Sequence, residues 1–291
     1  DLKLEQYQEL AKEVGPLFWL DIGGGEPFLR KDLAEIIACF DAKVIQIPSN
    51  GSLPDLMIDQ IKRMKRLSKA EISISLSLDG LEKTHDRIRN QPGNWDQVWS
   101  TFNLLRDNGV TVKINTVLTN ENKEEILDLM RVVREREPDF HSIILLRGEP
   151  ANPDTALPPS NELRILGKSI LDILQTYNYG KNRFSANILR NYHKTLWDIS
   201  LRTLEEKTQV IPCYAGKSHM VVYGDGGVSS CELLPKIGNI KDSSWREITT
   251  TEKFRKQKQD IKDKKCHCTH NCAMLDSILF NPRQLPNLLR S

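Results

Sequence analysis

Between Lys3 and about Gly148, stretches with helical periodicity alternate with short apolar runs, and this alternation restricts the fold more than any other feature. The apolar runs Leu17–Ile22, Lys43–Ile47, Ile72–Leu78, Val112–Leu118 and Ile143–Leu146 predict strands. Helix patterns fall near Leu4–Val14, Lys31–Phe40, Asp55–Leu67, Trp95–Asn108 and Lys123–Glu135. Strands and helices in alternation make parallel βα units. At least five in a row predict a barrel or a doubly wound sheet, and in either fold ligands gather at the carboxyl ends of the strands. The unusual residues stand at those ends: "GGGEP" after the first run, "SNG" after the second and "SLDG" after the third. Three such loops on one rim point to a binding site.

The first loop is the most telling. Glycine costs backbone entropy, so three in a row need a reason. Pro27 argues against a merely floppy connection, because it fixes its own φ and biases Glu26 toward an extended conformation. The loop reads as backbone stripped of side chains so that a ligand can lie against it. Further along, "GEPANPDTALPPSNE" (Gly148–Glu162) is rich in proline and polar residues and marks a boundary. Two helices are expected next, and then "HMVVYGDGGVSSCELL" predicts a β-hairpin around Gly224–Gly227.

Net charge narrows the partners. With a formal charge of +2, the chain offers no case for nucleic acid. The basic runs "KRMKR" and "FRKQKQDIKDKK" have the spacing of solvated helix faces. No apolar stretch approaches the roughly 20 residues that span a bilayer, and no signal-peptide pattern opens the chain, so a cytoplasmic protein is expected. The chain opens at Asp1, without an initiator Met, in a helix-like stretch, and an upstream segment is expected.

Five of the six cysteines lie in the last third: Cys213, Cys231, Cys266, Cys268 and Cys272. Cys39, alone in a helix pattern, reads as a small buried apolar residue. The "CHCTHNC" spacing is poor for disulfides, whereas clustered thiolates are a common metal device. Zinc with help from His267 or His270, and an iron–sulfur cluster on four of the five thiolates, both fit, and spacing does not choose between them.

These residues, taken in order, resemble the radical S-adenosylmethionine (SAM) enzymes that carry a C-terminal SPASM or twitch extension. Gly24-Gly25-Glu26-Pro27 is similar to that family's GGEP motif. "SLDG" (Ser77–Gly80) followed by "THDRIR" (Thr84–Arg89) resembles its fourth-strand segment, and "CYAGKSHMVVYGDGGVSSCELL…IGNI" resembles the opening of the extension. The resemblance implies an α/β fold, a partial (β/α)6 TIM-like barrel over about residues 1–150. Linking helices over 151–211 and a small cluster-binding domain with a β-hairpin over 212–291 would follow. It implies SAM held by Gly24, Gly25, Glu26 and Pro27, with Ser77 and Asp79 on its carboxylate or ribose and Arg89 as a carboxylate partner. Cys213 and Cys231, with at least two of Cys266, Cys268 and Cys272, would hold one auxiliary [4Fe–4S] cluster. The family's CxxxCxxC loop, which carries the radical-SAM [4Fe–4S] cluster, is expected upstream of Asp1 together with the first barrel strand. Without that loop the chain is not expected to cleave SAM.

The implied activity is reductive cleavage of SAM to a 5′-deoxyadenosyl radical that abstracts hydrogen from a substrate, with electrons from a donor such as flavodoxin or ferredoxin. No peptide-recognition domain is visible, which leans the substrate toward a small metabolite, sugar or lipid precursor. The alternatives are a peptide maturase, or a non-catalytic zinc- or cluster-binding module on a degenerate barrel. Arg147 and Glu149, leaving the last strand, would contact substrate or form an exposed ion pair.

Overall fold

A computed structural model of the chain describes residues 1–179 and 182–290. Its first half runs α1 (Leu4–Val14), β1 (Leu17–Asp21), a 3₁₀ turn (Pro27–Leu29), α2 (Leu33–Ala38), β2 (Ala42–Ser49), α3 (Pro54–Leu67) and β3 (Glu71–Ser77). It continues with α4 (Glu82–Arg89), α5 (Asn94–Asp107), β4 (Thr111–Leu118), α6 (Ile126–Glu135) and β5 (Phe140–Leu145). All five strands are parallel and stand side by side in sequence order. A doubly wound sheet would reverse its order at a switch point. This one never reverses, so it is a partial barrel.

Strand periodicity gives the sheet two chemically different faces. On the helix side, Ile45, Ile47, Ile72, Ile74, Leu76, Val112 and Ile114 are fully or almost fully buried against α3 residues such as Met57 and Ile61. On the inner side, Asp21 lies beside Gln46 and Gln46 beside Ser73, while Ser75 pairs with Lys113 and Ser77 with Asn115. The basic run of α3 is exposed at Lys62, Arg63, Lys65 and Arg66, as its spacing predicts. Helix α4 has no counterpart among the sequence expectations. Its residues are mostly polar, and it is held by buried His85, whose Nδ1 accepts from Asp79 N at 3.1 Å and whose Nε2 meets Asn94 Oδ1 at 3.0 Å.

After the boundary come α7 (Ser160–Leu174) and α8 (Arg183–Glu206). Leu163, Ile170, Leu174 and Leu201 from these helices belong to the barrel's own core. The C-terminal part holds β6 (Val221–Val222), β7 (Gly227–Ser229) and β8 (Gly238–Asn239), then α9 (Trp245–Ile248), α10 (Glu252–Lys262), α11 (Asn271–Leu279) and α12 (Leu285–Leu288). The expected hairpin is β6–β7, closed by Tyr223 N donating to Gly227 O at 2.8 Å, and β8 extends it antiparallel. Helix α8 joins the halves, because its Tyr192, Leu196 and Ile199 pack on Met274, Ile278 and Leu288 of α11 and α12. Among the described residues no helix is long and apolar enough to cross a membrane.

Two histidines sit in the seam where α8 meets β5. His193 stacks on Phe140 with ring centroids 4.7 Å apart, and its buried Nε2 has no hydrogen-bond partner. His141 bridges the hydroxyls of Thr116 (2.9 Å) and Tyr177 (2.8 Å). Burial pushes both imidazoles down to about 3, and at His141 repulsion from His193 adds to it. Their folded pKa values lie below the unfolded value of about 6.5. The unfolded chain therefore binds more protons as pH falls below about 6.5, and stability drops by up to about 1.4 kcal/mol per pH unit for each ring. His193→Phe keeps the stack and removes the titrating group. Thermal unfolding should show an undiminished midpoint near neutral pH and a shallower loss toward acid, and an unchanged acid slope would refute this reading.

Candidate functional site

The glycine loop leaves β1 at the carboxyl end of the sheet. Gly24 has φ +122°, a conformation that L side chains rarely adopt, and a Cβ built on Gly23, Gly24 or Gly25 would meet nothing within 4 Å. Packing within the chain does not require glycine at Gly25. The loop is a bare backbone ledge facing open space. Glu26 is tied down behind it: its Oε2 accepts from Ser49 Oγ (3.1 Å) and Asn50 N (2.9 Å), and its Oε1 accepts from Phe28 N (3.4 Å). The "GGGEP" and "SNG" loops are thus bound together through this carboxylate. Pro27 is buried and starts the 3₁₀ turn.

Ser77 ends β3, half-buried on the inner face. Asp79 lies past the strand end, almost fully buried. One carboxylate oxygen accepts from Val117 N at 2.8 Å and the other pairs with Arg89. Asn122 Nδ2 donates to the Asp79 carbonyl at 2.6 Å. The fold therefore brings Gly24–Pro27 and Ser77 to one rim and gives Asp79 and Arg89 to each other as a brace beside it. The polar inner face itself was not anticipated. It includes the buried hydroxyls of Ser73 and Ser75, which have no hydrogen-bond partner, and Lys113, which donates to Gln46 Oε1 at 2.6 Å and lies 4.5 Å from the Trp19 ring centre. The alternation "ISISLS" carried that signal. Asp21, at the mouth of this concavity, is raised by burial despite a 2.9 Å bond from Trp19 Nε1 and the charges of Lys113 and His270.

The C-terminal part closes over the same mouth. Arg147 pairs with Glu232 at 2.6 Å and so latches the end of β5 to the hairpin. His270 Nε2 stands 2.8 Å from the same carboxylate. The bond from His270, with help from Arg147 and against burial, holds Glu232 down at about 2. Asn271 Nδ2 donates to Ser142 Oγ of β5 at 3.0 Å.

The five cysteines divide. Cys213, Cys231 and Cys266 pack around Ala215 and Ile261. Cys268 is near enough to feel all three, and its thiol is pushed up to about 11 by burial first and by those neighbours second. Cys272 instead faces the mouth: burial, then the charges of Asp21 and Glu232, push it up to about 12. Among the described residues, no three His, Cys, Asp or Glu side chains are placed to hold a single ion. Four thiols around one pocket are the donor set of an iron–sulfur cluster, which takes one thiolate at each of four corners. Such buried thiolates are costly without metal, which is why the thiols of Cys213, Cys266 and Cys268 rise.

Polar groups surround this nest. Gln209 Nε2 donates to the carbonyls of Ile261 (3.0 Å) and Cys266 (2.9 Å) and reaches Cys266 Sγ at 3.7 Å. His219 Nδ1 bonds Asp276 Oδ2 at 2.8 Å. Burial opposes its charged form, yet bonds to Asp276 and Cys231 outweigh burial and raise it to about 9. Cys39 stands apart, half-buried at the end of α2, with its thiol directed to Glu35 O at 3.2 Å.

The Asp79 brace generates a stability prediction. Asp79→Ala would strand the Arg89 guanidinium and the Val117 N–H. Breaking such a buried pair from one side should cost about 3 kcal/mol in urea unfolding. A loss below about 1 kcal/mol, the range of an exposed pair, would count against it.

Comparisons with known proteins bear on both sites. Residues 2–133 match the family model of the Radical SAM superfamily, and residues 213–273 match that of SPASM, an iron–sulfur cluster-binding domain; together these cover about two thirds of the chain. The AdoMet-dependent heme synthase of Methanosarcina barkeri is 26% identical over 272 residues, covering 87% of this chain and 76% of that protein. The antilisterial bacteriocin subtilosin biosynthesis protein AlbA of Bacillus subtilis is 23% identical over 268 residues, covering 85% of this chain and 52% of AlbA. The structure of anSMEcpe with bound AdoMet and Kp18Cys peptide superposes with a TM-score of 0.60 at 19% identity, covering 87% of this chain and 72% of that one.

Proposed function

Because the chain belongs to the radical SAM superfamily and carries a SPASM iron–sulfur cluster-binding domain, we propose that it is an enzyme that modifies a peptide. The observation that carries this reading is the match to AlbA, a bacteriocin biosynthesis protein, which extends over 85% of this chain and is not confined to the barrel. It reverses the sequence-based lean toward a small metabolite, which rested only on seeing no peptide-recognition domain. The mouth suits a polyamide, since Asp21, Ser77 and Asn115 offer donors and acceptors along a concave polar face.

SAM bound to a reduced [4Fe–4S] cluster supplies a 5′-deoxyadenosyl radical able to take hydrogen from carbon. In this reading the chain's own residues bind, orient and shield. Gly24 and Gly25 receive the methionyl end of SAM through backbone groups, because no side chain intervenes. Glu26, fixed by Ser49 and Asn50, holds the ledge in place. Ser77 contributes a hydroxyl to the carboxylate or ribose. Asp79 and Arg89 keep the rim rigid. Cys213, Cys231, Cys266 and Cys268 hold the auxiliary cluster, while Cys272 faces the mouth. The Arg147–Glu232–His270 latch restrains the C-terminal part over the mouth and limits water. An electron donor such as flavodoxin or ferredoxin completes the system.

A second reading, a tetrapyrrole substrate, is favoured by the heme synthase match over 87% of the chain. Anaerobic assays of the reduced protein carrying its CxxxCxxC loop, with precursor peptides and with iron-coproporphyrin, separate the two. Peptide-dependent 5′-deoxyadenosine, with a mass change on the peptide, is the expected result; turnover of the porphyrin alone would replace it. Gly25→Val should leave the fold intact and weaken SAM at least tenfold, about 1.4 kcal/mol. Ser77→Ala should cost only about 0.5–1.5 kcal/mol. Unchanged SAM affinity in a folded Gly25→Val protein would rule the ledge out. Zinc without iron or sulfide in the anaerobically prepared protein would rule out the cluster.

A further inference from the structure

We propose that the basic flank of α10, with the exposed ring of Phe280 beside it, is the docking face for a small acidic electron carrier of the flavodoxin type, seated over the cysteine nest. This rests on the cluster ligand set proposed above.

The second basic run of the sequence is unevenly spread. From Glu252 to Lys265 there are seven basic and three acidic residues, a net of +4, whereas the whole chain carries only +2. Phe254, Gln257 and Ile261 form the buried side of α10. Ile261 packs with the cysteines, and Gln257 Oε1 accepts from Ser230 N at 3.0 Å, one residue before Cys231. The i, i+3, i+7 spacing gathers Arg255, Lys258 and Lys262 on one flank of the helix. The acids fall elsewhere: Asp260 pairs with Lys265 at 2.5 Å, and Asp263 accepts from Gln259 at 2.7 Å. Arg255 donates to Thr250 O at 2.8 Å, and Lys258 Nζ lies 4.5 Å from the Phe254 ring centre, so neither charge is neutralised.

The turn after Cys213 extends this flank. Gly216 has φ +74°, and a Cβ there would stand 3.1 Å from Lys258 Cγ. The turn therefore lies against Lys258, with Lys217 exposed next to it. Lys217 shares a surface groove with Tyr214 and Phe280. Phe280 is 58% exposed, and an aromatic anchor edged by charged groups is how protein interfaces are built.

Position selects the occupant. Tyr214 follows Cys213 in the chain, and Ala215 and Ile261 are walls of the cysteine pocket. A partner on this face is separated from the nest by about one helix diameter, roughly 10–12 Å. Substrate has its place at the other end of α11, where Asn271 reaches Ser142 inside the sheet, while Phe280 follows the helix's last turn. A positive face at this place complements an acidic carrier, and such encounters succeed with small interfaces. In the transfer the carrier's anionic flavin hydroquinone becomes the neutral semiquinone. The oxidised cluster gains that one electron, and no proton moves.

The test measures binding of an oxidised, acidic flavodoxin to the full-length protein carrying its CxxxCxxC loop, by calorimetry at low and high salt. Lys217→Glu with Lys262→Glu should raise Kd at least tenfold at low salt and much less at high salt. Phe280→Ser should weaken binding at both. Carbodiimide cross-links from flavodoxin carboxylates should fall on Lys217 and Lys262. The control, Lys62→Glu with Arg66→Glu, reverses the same number of charges on exposed α3 and should leave Kd unchanged. An unchanged Kd in the α10 variant overturns the proposal, as does equal weakening in the control. Loss of precursor-peptide binding with flavodoxin binding intact would also overturn it, by giving the face to substrate. Metal analysis of the same protein tests the premise separately: zinc without iron refutes the ligand set, and electron transfer with it, even where flavodoxin binds.

Discussion

A five-stranded parallel sheet can afford a polar concave face only when its other face is sealed, and here β3 shows both requirements in one strand. Ile72, Ile74 and Leu76 are buried under helices, while Ser73, Ser75 and Ser77 alternate with them on the inner side. Buried hydroxyls without partners cost free energy, and Ser73 and Ser75 both carry that cost. Burial of the isoleucines, leucines and methionines of the same core offsets it, at roughly 25 cal/mol per Å² of apolar surface. The rim inherits its position from this arrangement. Gly24–Pro27, Ser49–Asn50 and Ser77 are the carboxyl ends of neighbouring strands, and their heights follow from the register β1–β2–β3.

Rigidity at the rim comes from carboxylates used inward. Glu26 closes the first two loops on each other, and Asp79 joins the end of β3 to β4 and α4. Neither has a free oxygen in this arrangement, so both work as braces for the ledge. What stays open is backbone, at Gly24 and Gly25. The surface left exposed there is made of peptide groups, whose donors and acceptors do not titrate near neutral pH.

Much of this was readable from residues. The five strands announced themselves as apolar runs, the first three leading into glycine-bearing loops, and the hairpin as "YGDGG" between valines. Helix α4 did not, because seven of its eight residues are polar or charged and its anchor is tertiary: His85 buried between Asp79 and Asn94. Period two places Asp79 in line with Ser77, but the strand stops at Ser77, and no local pattern revealed that the Asp79 carboxylate meets Val117 N and Arg89. Likewise, five cysteines indicated a metal nest without indicating which four converge. That choice depends on where α11 begins, and the packing of Met274 and Ile278 against α8 sets it. Arg147 pairs not with Glu149 but with Glu232, a partner 85 residues away that no local pattern could reveal.

Helix α11 links the two sites mechanically. Asn271 reaches Ser142 on the inner face of the sheet, Cys272 lies near the charge of Asp21 at the mouth, and Asp276, more than a turn further on, holds His219 beside Ala215 of the cysteine pocket. Its buried side, Met274 and Ile278, is clamped to α8, which also belongs to the barrel core through Leu201. A displacement of α11 would therefore disturb the barrel mouth and the cysteine nest together. A charge placed at Asp21 or Cys272 also lies within electrostatic reach of Asp276. The barrel mouth and the cysteine nest thus share one helix as a common mechanical element.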